Sequence, residues 1–405
     1  MDDIDIPSYF LCPISLQIMR DPVTMSSGIT YERESIERWI FTSKNGTCPV
    51  TRQPLSDTDL TPNHTLRRLI QAWCTLNSSK GIERFPTPKP PVDKAQIVKL
   101  LNEGRSQQHQ MRCLRNLKSI AGESERNRRC LESAGVVEFL ASIINIEDHG
   151  TIDEALDILY HLQISEVGLK NLINGKFMET LFLVLEQGSY RSRAYAVMLL
   201  KSMFELADPI YLMNIKVEQF VEIVNVLRDQ ISQHATMAAL QVMVELCPWG
   251  RNKIKAVEAG AVPVLIEILI EVTDQRRVCE MVLVVLDRLC RCAEGRAELF
   301  KHGAGIAVVS KKILRVSHVA SERGVRILSS ISRFSATSNV LQEMLQVGVV
   351  TKLCLVLQVD CSLKTKEKAK EMLRLHSRVW KNSSCIPVHL ISCYPSSSRD
   401  IHNHT

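Results

Sequence analysis

The chain has 405 residues, too many for one hydrophobic core, so we expect at least two folding units. Hydrophobic residues make up 45% of the sequence and charged residues 23%, which excludes a largely disordered chain. The net charge of +6 is spread along the chain without an RRM, KH or zinc-finger pattern, so we expect no nucleic-acid partner.

The thirteen cysteines have no regular spacing, and most lie in apolar helical stretches, where a thiol behaves as a small hydrophobe. This usage is typical of a reducing compartment. The first thirty residues contain no apolar signal segment, and no apolar run is long enough to span a bilayer. We therefore expect a soluble protein without a transmembrane segment, located in the cytoplasm and, as a second location, in the nucleus.

Residues 1–79 alternate loops rich in Pro, Gly and Asn with two predicted short helices. The first helix is predicted from about Arg33 to Phe41. The second begins after the capping residue Asn63. Its apolar positions at helical spacing are Leu66, Leu69, Ile70 and Trp73. Two loops contain a Cys-Pro pair, one at Cys12-Pro13 and one at Cys48-Pro49.

Residues 80–92 are rich in proline and form a predicted extended connector. Two threonines precede proline and are candidate phosphorylation sites, Thr61 in the first module and Thr87 in the connector. A turn and cap explain Thr61 structurally, so Thr87 is the better candidate. Residues 381–405 are rich in serine and lack apolar periodicity, and we expect this tail to be poorly ordered.

Residues 93–380 contain an internal repeat, about seven copies long, that predicts an all-α solenoid. Two apolar residues three apart recur every 41 to 45 residues, as in Leu286/Leu289. A glycine followed by small or β-branched residues keeps the same register, as at Gly260, and the copy near Val217 lacks it. Each copy is predicted to hold a glycine turn and two helices, such as Val262–Leu269 and Val278–Leu289. This spacing resembles armadillo repeats, with HEAT repeats and a non-repeating bundle as alternatives.

The first module resembles the U-box over residues 6–78. The matching residues are Phe10, Cys12, Pro13, Ile14, Ser15, Met19, Asp21, Pro22, Val23, Gly28, Thr30, Tyr31, Glu32, Arg33, Ile36, Trp39, Cys48, Pro49, Thr51, Leu60, Pro62, Asn63, Leu66, Arg67, Leu69, Ile70 and Trp73. The resemblance implies a small α+β, RING-like domain without zinc. Cys12, Pro13, Asp21, Pro22, Cys48 and Asn63 would be its structural residues.

The cysteine and histidine content of the module agrees with a zinc-free domain. A cross-braced RING needs eight Cys or His ligands, and this module offers Cys12, Cys48, Cys74 and His64. We expect polar contacts to replace the metal, with Asp21, Glu32, Arg33 and Thr51 among them. We expect no cofactor. Cys12 and Cys48 are read as structural residues and not as nucleophiles.

The resemblance also implies a binding site for a ubiquitin-charged E2 conjugating enzyme. The predicted contacts are Ile14 and Leu16 from the first loop, Trp39 from the helix, and Pro49 and Arg52 from the second loop. Arg52 matches the basic residue that touches E2 and ubiquitin together and holds the thioester ready for attack. Burial in the core is the alternative for Ile14, Leu16 and Trp39, loop shaping for Pro49, and simple solvation for Arg52.

The whole chain resembles the plant class of U-box/armadillo E3 ubiquitin ligases (EC 2.3.2.27). The resemblance implies ubiquitin transfer to protein substrates on the concave armadillo surface, autoubiquitination, self-association, and a role in stress or immune signalling. Armadillo proteins that read basic import signals carry a recurring asparagine between the two paired apolar residues. In this chain only the first pair has it, at Asn116. This departure argues against import-signal binding. The alternative function is that of a non-enzymatic armadillo adaptor.

Overall fold

The computed structural model describes residues 6–42, 45–55, 57, 59–78, 92–144, 148–272 and 275–381. The chain divides into two compact units, one of Met1–Phe139 with His161–Gln163 and the other of Leu140–Tyr160 with Ile164–Thr405. Most of the predicted connector, including Thr87, and the tail after Lys381 lie outside the described residues.

A small antiparallel sheet opens the first unit. Its strands are β1 (Pro22–Thr24), β2 (Thr30–Glu32) and β3 (Thr61–Pro62), in the order β2-β1-β3. Val23 pairs with Tyr31 on one side and with Pro62 on the other. Gly28 lies in the β1–β2 turn with φ = 77°, a conformation that glycine adopts without a steric penalty. The predicted phosphorylation site Thr61 is exposed on β3.

Two helices pack on this sheet. Helix α1 (Arg33–Glu37) continues into a π-helical turn, Arg38–Thr42, so the predicted first helix extends over both segments. Helix α2 (His64–Leu76) is capped by Asn63, whose side chain accepts the N–H of Leu66 at 3.0 Å. Leu69, one of the apolar residues at helical spacing on α2, is 54% exposed. Cys74, four residues after Ile70, fills that side of the core instead.

The core of this module joins the sheet, both helices and both loops. A 3₁₀ turn, Ser8–Phe10, supplies the first core residue. The buried members are Phe10, Cys12, Met19, Val23, Met25, Tyr31, Ile36, Ile40, Cys48, Ile70 and Cys74. Both cysteines of the Cys-Pro pairs therefore belong to the core.

The rest of the described chain is helical. The helices are α3 (Lys94–Gly104), α4 (Gln107–Glu123), α5 (Glu125–Ser133), α6 (Val136–Ile143), α7 (His149–His161), α8 (Glu166–Asn174), α9 (Phe177–Gln187), α10 (Tyr190–Phe204), α11 (Pro209–Met213), α12 (Val217–Asp229), α13 (Gln233–Leu246), α14 (Asn252–Glu258), α15 (Ala261–Glu271), α16 (Arg276–Leu289), α17 (Ala293–Lys301), α18 (Gly305–Lys312), α19 (His318–Phe334), α20 (Ser338–Gln346), α21 (Val349–Gln358), α22 (Leu363–Leu375) and α23 (Ser377–Trp380).

Each complete repeat holds three helices, where two were predicted. In the repeat that contains Gly260, the short helix α14 precedes the glycine and α15 and α16 follow it. Gly260 has φ = 81°, and the equivalent Gly135 and Gly348 have φ = 87° and 76°. The glycine lets the chain reverse sharply between the first two helices. In the degenerate copy, Lys216 occupies the position before α12 with an extended backbone.

The first residue of each apolar pair lies on the third helix of its repeat and is buried. Leu200, Met243, Leu286 and Leu328, the first members of four successive pairs, have no exposed surface. Through such residues α10, α13, α16, α19 and α22 pack on one another in sequence. We call these five helices the third-helix layer.

Cysteines in these helices are free and mostly buried. Burial raises the pKa of Cys113 to about 11 and that of Cys247 to about 12, so both remain neutral thiols. In the described part of the chain, no single helix has the length and apolar character to cross a membrane. Helices α20 and α21 have that length and apolar character only when taken together, and their axes are bent by 63° relative to each other.

Candidate functional site

The two Cys-Pro loops are copies of one backbone motif. Loop 1 is Cys12-Pro13-Ile14-Ser15-Leu16-Gln17, and loop 2 is Cys48-Pro49-Val50-Thr51-Arg52-Gln53. In loop 1 the N–H of Leu16 donates to the carbonyl of Cys12 at 2.8 Å, and in loop 2 the N–H of Arg52 donates to Cys48, also at 2.8 Å. The cysteine N–H groups in turn donate to Gln17 and Gln53 at 2.8 and 2.9 Å. Each loop is thus closed at both ends.

The fifth residue of each loop has a left-handed backbone. Leu16 has φ = 56° and Arg52 has φ = 57°, values that are uncommon for residues other than glycine. The hydrogen bonds that close the loops hold these conformations in place. Both side chains are exposed, and Leu16 exposes 75% of its surface. The tip of loop 1 therefore presents an apolar side chain to solvent.

The remaining predicted contact residues lie around these two tips. Ile14 and Trp39 are half-buried and pack against the core of the module, and Pro49 is half-buried beside the core residue Cys48. The indole N–H of Trp39 donates to the carbonyl of Thr47 at 2.8 Å, which fixes the helical segment to the start of loop 2. Trp39 therefore has a structural contact and an accessible part.

Val50 is a residue of this surface that sequence reasoning missed. It occupies the position in loop 2 that Ile14 occupies in loop 1, and 51% of its surface is exposed. The signal was present in the sequence, because the two loops share the pattern Cys-Pro-x-x-x-Gln.

Consecutive residues of β2 hold the two loop cysteines. The Tyr31 hydroxyl lies 3.1 Å from Sγ of Cys48, and the backbone N–H of Glu32 donates to Sγ of Cys12 at 3.3 Å. Because Tyr31 and Glu32 are adjacent in one strand, they fix the separation of the loops. The strand thereby does by hydrogen bonding what shared metal ligands do in a cross-braced domain.

Hydrogen bonds to the two sulfur atoms also change their acidity. Burial raises the pKa of the Cys48 thiol, but hydrogen bonds with Ser27, Thr51 and Tyr31 outweigh burial and lower this pKa to about 6. Burial acts on Cys12 too, where the backbone N–H groups of Ser15, Glu32 and Ile14 bring the pKa below its ordinary value. Burial and the bond to Cys48 raise the pKa of Tyr31, so its hydroxyl remains a donor.

Charged side chains join the loops to the sheet and α1. The Glu32 carboxylate accepts the backbone N–H groups of Arg20 at 2.6 Å and Asp21 at 3.1 Å. Nε of Arg33 donates to the Asp21 carboxylate at 2.5 Å, and Arg67 lies 3.9 Å from the same group. Burial raises the pKa of Glu32 despite these donors. Asp21, Glu32, Arg33 and Thr51 thus all contribute polar contacts around the loops.

The structural residues predicted for the module divide between core and surface. Cys12, Cys48 and Pro22 are buried, Asp21 and Asn63 are half-buried, and Pro13 is exposed at the start of loop 1. Within the described ranges, no three His, Cys, Asp or Glu side chains are grouped so that they could hold a metal ion.

Comparison with known proteins agrees with both parts of this architecture. The model of the U-box domain matches residues 6–79, and that of the plant U-box protein ARM repeat region matches residues 95–396. The structure with TM-score 0.59 to this chain comes from a study of the interaction between cadherin and β-catenin. It is 15% identical in sequence, and the match covers 79% of this chain and 58% of that chain. This likeness supports the armadillo fold.

Two proteins of Arabidopsis thaliana are similar over nearly the full length. The E3 ubiquitin-protein ligase PUB23 is 57% identical over 97% of this chain and 98% of its own. The E3 ubiquitin-protein ligase PUB22 is 53% identical over 97% of this chain and 99% of its own. Fold, loops and relatives together define a ligase that acts through a U-box. The chain belongs to the plant U-box/armadillo-repeat family, and it is an E3 ubiquitin-protein ligase.

Proposed function

We propose that the two loop tips and the helical segment between them form the surface on which an E2~ubiquitin conjugate docks. The contact residues are Ile14, Leu16, Trp39, Pro49 and Arg52, and Val50 joins them. The observation that supports this proposal is the matched left-handed backbone of Leu16 and Arg52. It presents one apolar and one cationic side chain from two loops tethered to the same strand.

The chemistry on this surface is transfer without a covalent intermediate on the ligase. The amine of a substrate lysine attacks the carbonyl carbon of the E2~ubiquitin thioester. A C–N isopeptide bond forms, the C–S bond breaks, the E2 thiol leaves and the amine loses a proton. The ligase lowers the barrier by restricting the orientation of the thioester. Neither buried loop cysteine is needed as a nucleophile.

Arg52 is proposed to supply that restriction. Its guanidinium carries several N–H donors in one plane and can bond carbonyl oxygens of two partners simultaneously. Its exposure leaves these donors free of the core, and its left-handed backbone fixes the direction in which the side chain leaves the loop. Arg52 would act as a positioning residue for E2 and ubiquitin.

The armadillo repeats are proposed to hold the protein substrate on the concave surface, formed by successive third helices. Autoubiquitination, self-association, a cytoplasmic and nuclear location, and a role in stress or immune signalling remain predictions that follow from the family. Phosphorylation of Thr61 would place a dianion on exposed β3, one residue before Pro62 and two before the cap Asn63.

An in vitro ubiquitination assay with E1, a panel of E2 enzymes, ubiquitin and ATP tests the docking surface. Leu16→Ala and Arg52→Ala should each reduce chain formation on the order of tenfold or more. Leu69→Ala is the matched control for Leu16, because Leu69 is also an exposed leucine of the module but lies on α2. It should leave activity unchanged.

A binding titration separates the two roles. Leu16→Ala should weaken E2 binding, whereas Arg52→Ala should bind uncharged E2 nearly normally and fail to accelerate lysine-dependent discharge of E2~ubiquitin. Full activity of both variants with every E2 would exclude the proposed surface. Loss of activity in Leu69→Ala would move the surface to α2.

A further inference from the structure

We propose that four arginines on α16, on the turn that follows it and on α19 form a binding site for an acidic, extended segment of a protein substrate. They are Arg288, Arg291, Arg323 and Arg326, and we call them the arginine cluster. This inference rests on the proposed role of the armadillo repeats in substrate binding and adds the chemistry of the segment that they hold.

Three of the four arginines surround a single buried carboxylate. The side chain of Asp287 is 5% exposed, and its Oδ2 lies 3.0 Å from Nη1 of Arg323 and 3.1 Å from Nε of Arg326. Nη2 of Arg291, in the turn that follows α16, is 3.8 Å from the same oxygen. Three guanidinium groups from two successive repeats thus converge on one oxygen atom.

The carboxylate leaves an excess of positive charge. Glu322, 3.7 Å from Nη1 of Arg326, is the one other carboxylate that pairs with these four arginines in the described part of the chain. The cluster therefore holds two positive charges beyond those neutralised within it. Elsewhere in the third-helix layer positive charge is not in excess. On α10, Arg191 lies between two carboxylates, Asp157 at 2.9 Å and Glu154 at 3.2 Å.

Donors of the cluster remain available for a ligand. The side chains of Arg323 and Arg326 are each 28% exposed and that of Arg291 is 52% exposed. Arg288 donates to the backbone carbonyl of Val244 in the preceding repeat, which directs its guanidinium along the third-helix layer. Asp287 thus orders the arginines in advance, so a ligand does not bear the full entropic cost of ordering them.

The arrangement favours a peptide over a larger polyanion. Packed helices are about 8–10 Å apart, and an extended chain advances about 3.3 Å per residue, so adjacent third helices match acidic residues about three positions apart. Carboxylates bind guanidinium groups in a bidentate geometry, which makes acidic side chains suitable ligands. A surplus of two positive charges is small for binding a polynucleotide, which gains its affinity from many phosphate contacts.

Fluorescence anisotropy of the full-length protein tests this site. The probe is a fluorescein-labelled peptide with glutamate at about every third position, separated by glycine and serine, and the control peptide has glutamine at the same positions. Only the glutamate peptide should bind, with an affinity that falls as salt is raised. Arg291→Ala should weaken binding severalfold, and Arg291→Ala with Arg326→Gln on the order of tenfold or more.

Matched controls separate this inference from the proposed ligase mechanism. Arg228→Ala with Arg251→Ala removes two exposed arginines elsewhere in the same unit and should leave peptide binding unchanged. The Arg291 side chain is exposed, and its guanidinium lies no closer than 3.8 Å to the Asp287 carboxylate. Arg291→Ala therefore tests the site without risk to folding. All variants should retain autoubiquitination, which depends on the U-box.

Three results would overturn the proposal. They are equal binding of the glutamine peptide, unchanged affinity in both arginine variants, or tighter binding of a single-stranded oligonucleotide of equal charge. Inactivity of the unmodified protein in the ubiquitination assay would count against the ligase mechanism and leave the peptide result standing.

Discussion

The Tyr31 hydroxyl oxygen lies 3.1 Å from Sγ of Cys48, inside the core of the U-box. The next residue in the strand reaches the other loop cysteine through its backbone N–H. A tyrosine side chain therefore holds loop 2, and a backbone N–H group holds loop 1. The first can be removed by mutation, and the second cannot.

Tyr31→Phe should loosen loop 2 while loop 1 keeps its backbone bond. Loss of one hydrogen bond to a buried thiol should cost about 1 kcal/mol, because the sulfur retains contacts with Ser27 and Thr51. Hydrogen exchange measured by mass spectrometry should show faster exchange at Arg52 and Cys48 than at Leu16. Tyr190→Phe, at an exposed position of α10, is the control. Equal effects on both loops would mean that they open as one unit.

The stability of the U-box should depend on the ionisation of Cys48. Its pKa falls from about 8.5 in the unfolded chain to about 6 in the fold. A depressed acid pKa stabilises the fold fully above the unfolded value, and this stabilisation is lost as pH falls towards 6. Hydrogen exchange of the loop 2 amides, corrected for intrinsic rates, should show more protection at pH 8.5 than at pH 6.

Two cysteine variants check the sign of this pH dependence. Cys48→Ser should remove most of the gain in protection between pH 6 and 8.5. Burial raises the pKa of Cys74, so its thiol contributes in the opposite direction, and Cys74→Ser should make the gain larger. A wild-type fold whose protection is independent of pH would contradict the assignment of a low pKa to Cys48.

Zinc removal should leave the ligase intact. The module has four Cys or His residues where a cross-braced domain needs eight, and both loop thiols are engaged in hydrogen bonds. Treatment with a zinc-selective chelator that spares Mg·ATP should change neither the melting temperature nor autoubiquitination. A RING ligase assayed beside it should lose activity. Parallel inactivation of both enzymes would require a metal site in the U-box.

Gly260→Ala should destabilise the second unit by about 1 kcal/mol, because alanine at φ = 81° is strained even though space is available for a Cβ atom. Gly122→Ala is the matched control. Gly122 lies inside α4, exposed and with no atom within 4 Å of the point where a Cβ would lie, so alanine there should stabilise by about 0.5–1 kcal/mol. Urea unfolding of both variants checks the difference in sign.

The sequence predicted the strongly periodic parts of this protein. Leu286 and Leu289 identified a third helix because apolar residues recur there at helical spacing, and burial confirms them. The short first helices, such as α5 and α14, were missed. Helix α5 is polar along most of its length, with Leu131 as its fully buried apolar residue, so no pattern distinguishes it from a loop.

The candidate site was only partly accessible to sequence reasoning. The family pattern located the loops, but it could not reveal that Leu16 and Arg52 share a left-handed backbone, because neither residue type favours it. Helical spacing groups Leu69 with Leu66 and Ile70, and it does not reveal that Leu69 faces solvent. In the arginine cluster, Asp287 pairs with Arg323 and Arg326, about 36 and 39 positions away, and such pairings depend on how two repeats stack.

The duplicated loop backbone implies that the platform distinguishes its two sides by chemistry alone. Exchanging the tips, with Leu16→Arg and Arg52→Leu in one protein, would preserve composition, charge and every main-chain bond of the loops. In the resulting domain the apolar and the cationic side chains would have exchanged loops. It would fold as before, with the cationic side chain on loop 1 and the apolar side chain on loop 2.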